Sequence, residues 1–407
     1  MKKKLIVLAL AVIALLMIVP LASNTFSSVQ QTAASYPQPS PSPSPAPAPT
    51  PQPTPTASTV RFSATGDNLI HNGIFNQAAR RAQAEGETGY DFSFCYDAVR
   101  DFYAGFDVNW INQETLVNDE LEPSSYPCFS TPGDMGRELY DIGFRVFSLA
   151  NNHTYDKGAE GIAATRRFWA SLPEDAVTCG LYEGEADYDN IVIRETNGIR
   201  IAYLSYTEFT NGIPTPAGAE ANLIYTRETD VIQRQIELAR QQADFVVVGV
   251  HWGVEGSHKA TDAQRALAQQ MADWGAGVVI GTHPHVVQDA QWLTAADGRQ
   301  VFVAYSLGNF LNAQSTADTM IGVVLSFTLE KTTQPDGSSE TVLKEPMLHP
   351  TVNHYGQNYS QIRIYLYKDY TDELAASHGV RANFPGFSKS YIESVLRENI
   401  DNTFLDL

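Results

Sequence analysis

Val278-Val279-Ile280-Gly281-Thr282-His283-Pro284-His285 carries an apolar strand straight into two histidines spaced two apart. Side chains at i and i+2 of an extended segment point the same way, so both imidazoles can face one cavity, while Pro284 fixes φ and removes a donor. Such a pair reads either as a metal site or as satisfied core and surface histidines. The rest of the chain favours the metal site by repeating the pattern.

Short apolar runs recur at 60–65, 144–149, 191–193, 199–206, 245–250, 301–305 and 321–329. Between them, apolar residues at helical spacing predict helices over 159–171, 228–243 and 262–274, the last with Thr261 as its N-cap. Strands alternating with helices predict an α/β domain, and hairpin-like pairs at 191–206 and 301–329 add antiparallel strands. Further on, 361–367 reads as one more strand and 388–399 as a terminal helix. No internal repeat of fixed period is visible.

Four more clusters of polar residues sit where an apolar run gives way to a loop, the place where α/β proteins bind ligands. They are Gly66-Asp67 with His71, Asn112-Gln113-Glu114, Asn151-Asn152-His153 with Asp156, and His251-Trp252-Gly253-Val254-Glu255. Each has a plain reading: a turn for Asp67, a solvated acid for Glu114, a cap for the asparagines, a satisfied core residue for His251. Yet five of the nine histidines end or follow an apolar run in this way, and that scatter needs a cause. His258, His349, His354 and His378 lack such a setting and read as surface or packing residues. The loop Ser306-Leu307-Gly308-Asn309-Phe310 is either an ordinary turn or one that lets Asn309 orient the site.

The remaining sequence concerns delivery. Three lysines in Met1–Lys4 precede the wholly apolar Leu5–Val19, the layout of a secretory signal; left uncleaved, Leu5–Ala22 has 18 residues, near the lower length limit for a membrane anchor. From Pro37 to Pro55 proline takes every second position, ten in nineteen residues, which predicts an extended polyproline II spacer of up to about 60 Å. Residues 1–35 are therefore expected to target or anchor, 36–59 to link, 60–350 to form the domain, and 351–407 to extend it. Three cysteines are too few for a disulfide framework; a Cys95–Cys128 bridge and three separate thiols are both compatible. A formal charge of −19 makes nucleic acid and anionic lipid poor partners.

Taken in order, Gly66-Asp67, Asn112-x-Glu114, Asn151-Asn152-His153, His251-Trp252-Gly253-x-Glu255, Gly281-x-His283-Pro284-His285 and Ser306-Leu307-Gly308-Asn309-Phe310 resemble the CapA family of poly-gamma-glutamate capsule proteins, similar in turn to calcineurin-like metallophosphoesterases. The resemblance covers about 60–327. It implies a four-layer sandwich of two mixed β-sheets flanked by helices, with a dinuclear centre at the strand ends. Carried over, Asp67 and His285 would hold one metal, Asn152, His251 and His283 the other, and Glu114 would bridge them. His153 would stand beside the centre as general acid, with His71, Asn112, Asp156, Glu255 and Asn309 around it. Two features depart from the metallophosphoesterase pattern: His71 lies four residues from Asp67 where a spacing of two is usual, and the bridging acid is glutamate rather than aspartate. Oxygen and nitrogen donors without thiolate suit Mn, Fe or Zn. The implied function is a metal-dependent hydrolase at the outer face of the membrane or secreted, acting on a cell-envelope polymer or its precursor. The alternative is a non-catalytic component of a membrane-bound capsule synthesis complex.

Overall fold

The computed structural model describes residues 54–407; the apolar Leu5–Val19 run and nearly all of the proline-rich segment, with the expectations placed on them, lie outside the described residues. In chain order the strands are β1 (Thr56–Asn68), β2 (Val108–Gln113), β3 (Val117–Asn118), β4 (Thr131–Pro132), β5 (Phe144–Ser148), β6 (Val177–Cys179), β7 (Val192–Thr196), β8 (Ile199–Thr207), β9 (Phe245–His251), β10 (Val278–Thr282), β11 (Ala290–Thr294), β12 (Gln300–Ala304), β13 (Asn309–Leu311), β14 (Ile321–Thr333), β15 (Ser339–His354) and β16 (Arg363–Leu366). One sheet runs β16-β15-β14-β1-β2-β5-β6, with β13 joined to β1; a second runs β11-β12-β10-β9-β8-β7; β3 and β4 pair apart. The first sheet is parallel from β1 through β6 and antiparallel from β1 through β16, while the second has a parallel centre with an antiparallel strand at each edge.

Period-two sorting of side chains stacks the layers. Tyr203, Val247, Val278 and Ile280 of the second sheet share one core with Phe62 and Trp110 of the first. Their neighbours Leu204, Val246, Val248 and Val250 face the other way and pack with Ile232, Ile236, Leu267 and Met271 of helices Thr229–Gln242 and Asp262–Trp274. Fully burying each such side chain is worth about 1.5–3 kcal/mol. The sheets approach closely at Gly249, where a Cβ would fall 2.7 Å from the Trp110 ring. On the first sheet's outer side, Phe147 packs on Trp169 of helix Gly158–Ser171. The result is the expected four-layer sandwich of two mixed sheets between helices.

Helix Asp262–Trp274 starts as its sequence predicts, on a capping box: the Gln264 N–H donates to Thr261 Oγ1 and the Thr261 N–H to Gln264 Oε1. Other expectations need correction. Residues 301–329 are not a hairpin, because β12 and β14 lie in different sheets. β1 begins at Thr56, inside the expected linker, because Thr56–Thr59 pair with the far end of the long β14. The domain boundary at 350 falls within β15, and β16 continues the same sheet. Cys95, Cys128 and Cys179 are unbonded; Cys95 is buried, with its Sγ 3.6 Å from Gln77 Nε2.

His354 and His378 are packing residues, as read from the sequence, with ring centroids 4.9 Å apart. Burial lowers His354 to about 4 and His378 to about 3. The unfolded chain, near 6.5, therefore binds protons first as pH falls. Their contribution is complete above pH 6.5 and is lost as pH drops through about 4. The melting temperature is expected to fall by several degrees over that window, and His354→Gln to flatten the fall; an unchanged slope in the variant would remove His354 as a cause.

Candidate metal centre

The parallel strands of both sheets bring their carboxyl ends to one place. Asp67 lies next to the end of β1, Glu114 follows β2, and Asn152 and His153 follow β5 after a short turn. His251 ends β9, His283 and His285 follow β10, and Asn309 opens β13. All of these side chains are buried.

Asp67 is fixed from several sides. Asn112 Nδ2 donates to its Oδ1 at 2.7 Å, and the His283 backbone N–H donates to its Oδ2 at 3.1 Å. Its own N–H donates to the Gly308 carbonyl at 3.0 Å. That approach explains Gly66, where a Cβ would fall 1.8 Å from the Gly308 oxygen. Gly66→Ala must push the two segments apart, and a destabilisation on the order of 3 kcal/mol, read by denaturant unfolding, is expected.

Glu114 has the opposite surroundings. Both of its carboxylate oxygens are buried and neither has a hydrogen-bond partner. Its neighbours are imidazole nitrogens: His251 Nε2 and His285 Nε2 lie 3.7 Å from Oε1, and His153 Nε2 lies 4.0 Å away. Burial, against the attraction of His285, drives its carboxyl well above the usual range. An unpartnered buried acid costs several kcal/mol unless a cation stands in for the missing donors.

The imidazoles are held with one nitrogen toward this acid. His251 Nδ1 lies 3.0 Å from Thr282 Oγ1, while its Nε2 meets Asn152 Oδ1 at 3.0 Å. His285 Nδ1 lies between Asp67 Oδ2 at 3.2 Å and Asn309 Oδ1 at 3.1 Å, which leaves Nε2 facing Glu114. Partners of this kind on one ring nitrogen set the tautomer that offers the other as a lone pair. Burial holds His251 well below the ordinary histidine range and, with His285 beside it, His283 down to about 3. Burial opposes the His285 cation too, but Glu114 and Asp67 outweigh it and raise His285 to about 9.

His283 and His285 converge by a route other than the one read from the sequence. β10 ends at Thr282, and both histidines take positive φ, 97° and 60°, so strand alternation does not aim them. Two left-handed residues around Pro284 turn the chain back, leaving the rings 5.7 Å apart. Non-glycine residues in this region cost about 1–3 kcal/mol each, and the hydrogen bond from His283 to Asp67 helps to hold the turn.

Among the described residues, one donor atom each from Glu114, His251 and His283 lie within 4.8 Å of one another, and so do those of Asp67, Glu114 and His285. Glu114 belongs to both groups. These donor sets fit divalent cations: oxygen and imidazole nitrogen only, with an orphaned carboxylate between them. A third grouping, Glu255 with His283 and His285, places the exposed Glu255 at the rim.

His153 stands beside the cluster. Its Nδ1 lies 2.8 Å from Asp156 Oδ2, which also accepts the Phe129 N–H, so its Nε2 is turned toward Glu114. His71 holds the N-cap position of helix Asn72–Ala84 without a side-chain capping bond and accepts the Ala313 N–H at Nδ1, 3.2 Å away; it joins neither donor group. Three contributors escaped the sequence reading. Thr282 sets the His251 ring, Asn211 Oδ1 accepts from Asn152 Nδ2 at 3.3 Å, and Phe209 packs edge-on against His283. Glu208-Phe209-Thr210-Asn211 follows the end of β8 just as the other clusters follow their strands, but without a histidine to mark it.

The profile described as bacterial capsule synthesis protein PGA_cap matches residues 61–314, a span that contains every residue of this cluster. The chain belongs to the PGA_cap family. Capsule biosynthesis protein CapA of Bacillus anthracis is 36% identical over 198 residues, 47% of this chain and 46% of that one. PGA biosynthesis protein CapA of Bacillus subtilis (strain 168) is 30% identical over 231 residues, 57% of this chain and 58% of that one. The match thus spans about half the length of these PGA_cap relatives. Among solved structures, Haemophilus influenzae NAD nucleotidase aligns with 86% of this chain and 64% of its own, at 12% identity and a TM-score of 0.42.

Proposed function

We propose that this PGA_cap protein is an exported, metal-dependent hydrolase acting on a cell-envelope polymer or its precursor, such as the PGA named for its Bacillus subtilis relative. The observation that carries the reading is Glu114, a buried carboxylate without a donor, shared by two groups of ligating side chains. Asp67 and His285 would hold one divalent cation, Asn152, His251 and His283 a second, with Glu114 common to both and Mn, Fe or Zn the suited metals. A divalent pair supplies a nucleophile at neutral pH and stabilises charge on the reacting group.

The chain's own residues do the rest. His153, oriented through Nδ1 by Asp156, presents Nε2 to the cluster and delivers a proton to the departing oxygen or nitrogen. Asn112 and Asn309 hold Asp67 and His285 in place. The apolar Leu5–Val19 run and the proline-rich spacer support export and tethering, which would set the domain at the outer face of the membrane among capsule-synthesis partners. Removing cations with a chelator is expected to abolish hydrolysis of phosphodiester and amide probes, and Mn or Zn to restore it. A non-catalytic role in capsule assembly is the second reading, favoured by the names of the relatives. Metal-loaded protein that turns over neither probe would favour it over the hydrolase.

A further inference from the structure

Away from the metal centre, a cleft of about 610 Å³ opens between helix Asn72–Ala84 and β16. In a chain of net charge −19 it gathers three arginines, Arg80, Arg81 and Arg363. The guanidinium carbons of Arg81 and Arg363 lie 4.7 and 4.5 Å from the centroid of the Phe94 ring, so two cations converge on one aromatic. Their counter-charges are incomplete. Arg81 pairs with Asp91 at 2.9 Å, but the carboxylate beside Arg363 is Asp97 at 3.9 Å, beyond hydrogen-bond reach. Arg363 Nε is buried without a partner. Arg80 makes no ion pair among the described residues, and the acid in the lining, Glu85, is exposed.

A second hollow of about 430 Å³ adjoins the first, with Arg80 in both walls. Asn72, Asn76 and Arg80 line it at i, i+4 and i+8, one face of the helix over about 12 Å. Its inner end reaches Ala313, whose N–H donates to His71, and the His71 ring meets Phe129, which packs on His153. One helix face therefore leads from the general-acid side of the metal centre to the arginines.

We propose that the arginine cleft binds an oxyanion, carboxylate or phosphate, borne by the part of a chain-like ligand that extends away from the metal centre. A planar guanidinium with open N–H groups takes either group bidentately, and the outer nitrogens of Arg363 have no carboxylate within hydrogen-bond reach. The proposal goes beyond the hydrolase reading, since cleft binding needs neither cation nor turnover.

The test is equilibrium binding of a short oligoglutamate to the full chain, with inorganic phosphate as competitor, with and without chelator. Wild type is expected to bind in both conditions, and Arg80→Gln and Arg363→Gln each to bind at least tenfold more weakly. Arg363→Lys should recover part of the loss by keeping the charge. Arg80 is exposed, so its variant keeps the test informative if substitutions at Arg363 unfold the protein. Displacement of oligoglutamate by phosphate shows that the cleft accepts both oxyanions; oligoglutamate binding that phosphate does not displace restricts it to carboxylates. Arginine variants that bind as wild type does, or binding that disappears with chelator, would overturn the proposal. The second outcome would move the anion to the metal centre and leave the hydrolase reading standing.

Discussion

Glu114→Gln is expected to cut divalent-cation affinity at least ~100-fold and abolish hydrolysis, while making the cation-free protein more stable. Glutamine keeps the shape but removes the charge shared by both donor groups, so the His251 and His283 set loses its one carboxylate and the His285 set is left with Asp67 alone. The stability gain follows from the same carboxyl. Burial raises it above its unfolded value of 4.5, so cation-free protein has full stability from this group at low pH and loses it as pH rises. Thermal melts under chelator, from pH 4.5 to 8, should therefore decline less in Glu114→Gln than in wild type. With a divalent cation added, the order should reverse, because only wild type gains binding energy. A variant that keeps full metal content would remove Glu114 from the shared position.

His153→Ala should separate catalysis from metal binding. The ring is turned by Asp156 and packed edge-on against Phe129, with its nearest Glu114 oxygen 4.0 Å from Nε2. It belongs to neither donor group, so metal content should stay at the wild-type value. Turnover should fall by about 10²- to 10⁴-fold, the usual worth of a positioned general acid. The loss should be greatest for substrates with poor leaving groups, which depend most on protonation. Asp156→Asn, which leaves the imidazole in place but removes the carboxylate that orients it, should show a smaller fall in the same direction. Unchanged turnover in His153→Ala would exclude this residue from proton delivery.

What the sequence revealed, and what it hid, follows from the range of the interactions. The runs Val246–Val250 and Val278–Ile280 announce buried parallel strands because both faces are covered, by the first sheet on one side and helices on the other. Thr261 and Gln264 announce a helix start because a capping box is local. Sheet membership is not local: β12 and β14 are each apolar and only the short β13 separates them, yet β12 pairs with β10 and β11 while β14 pairs with β15 and with the distant β1. β15 escaped notice because its first half is polar and exposed and contains Pro346; β16 covers only Thr351–His354, so that first half is a sheet edge where proline is tolerated.

The candidate site was more legible than the strand pairings, because ligating side chains are distinctive residue types placed at strand ends. Asp67, Glu114, Asn152, His153, His251, His283 and His285 all meet. The way His283 and His285 meet was hidden, since positive φ at two non-glycine residues follows from the contacts around Asp67 and not from the Gly-Thr-His-Pro-His spacing. Thr282, Phe209 and Asn211 were missed because hydroxyl, phenyl and amide groups carry no metal signature of their own.

Anomalous scattering from crystals of the protein grown with Mn is the most direct measurement of the centre. Two peaks are expected on either side of Glu114, one beside Asp67 and His285, the other beside Asn152, His251 and His283. Well-ordered, folded protein with no peak among these residues would contradict the assignment of this cluster as a metal centre.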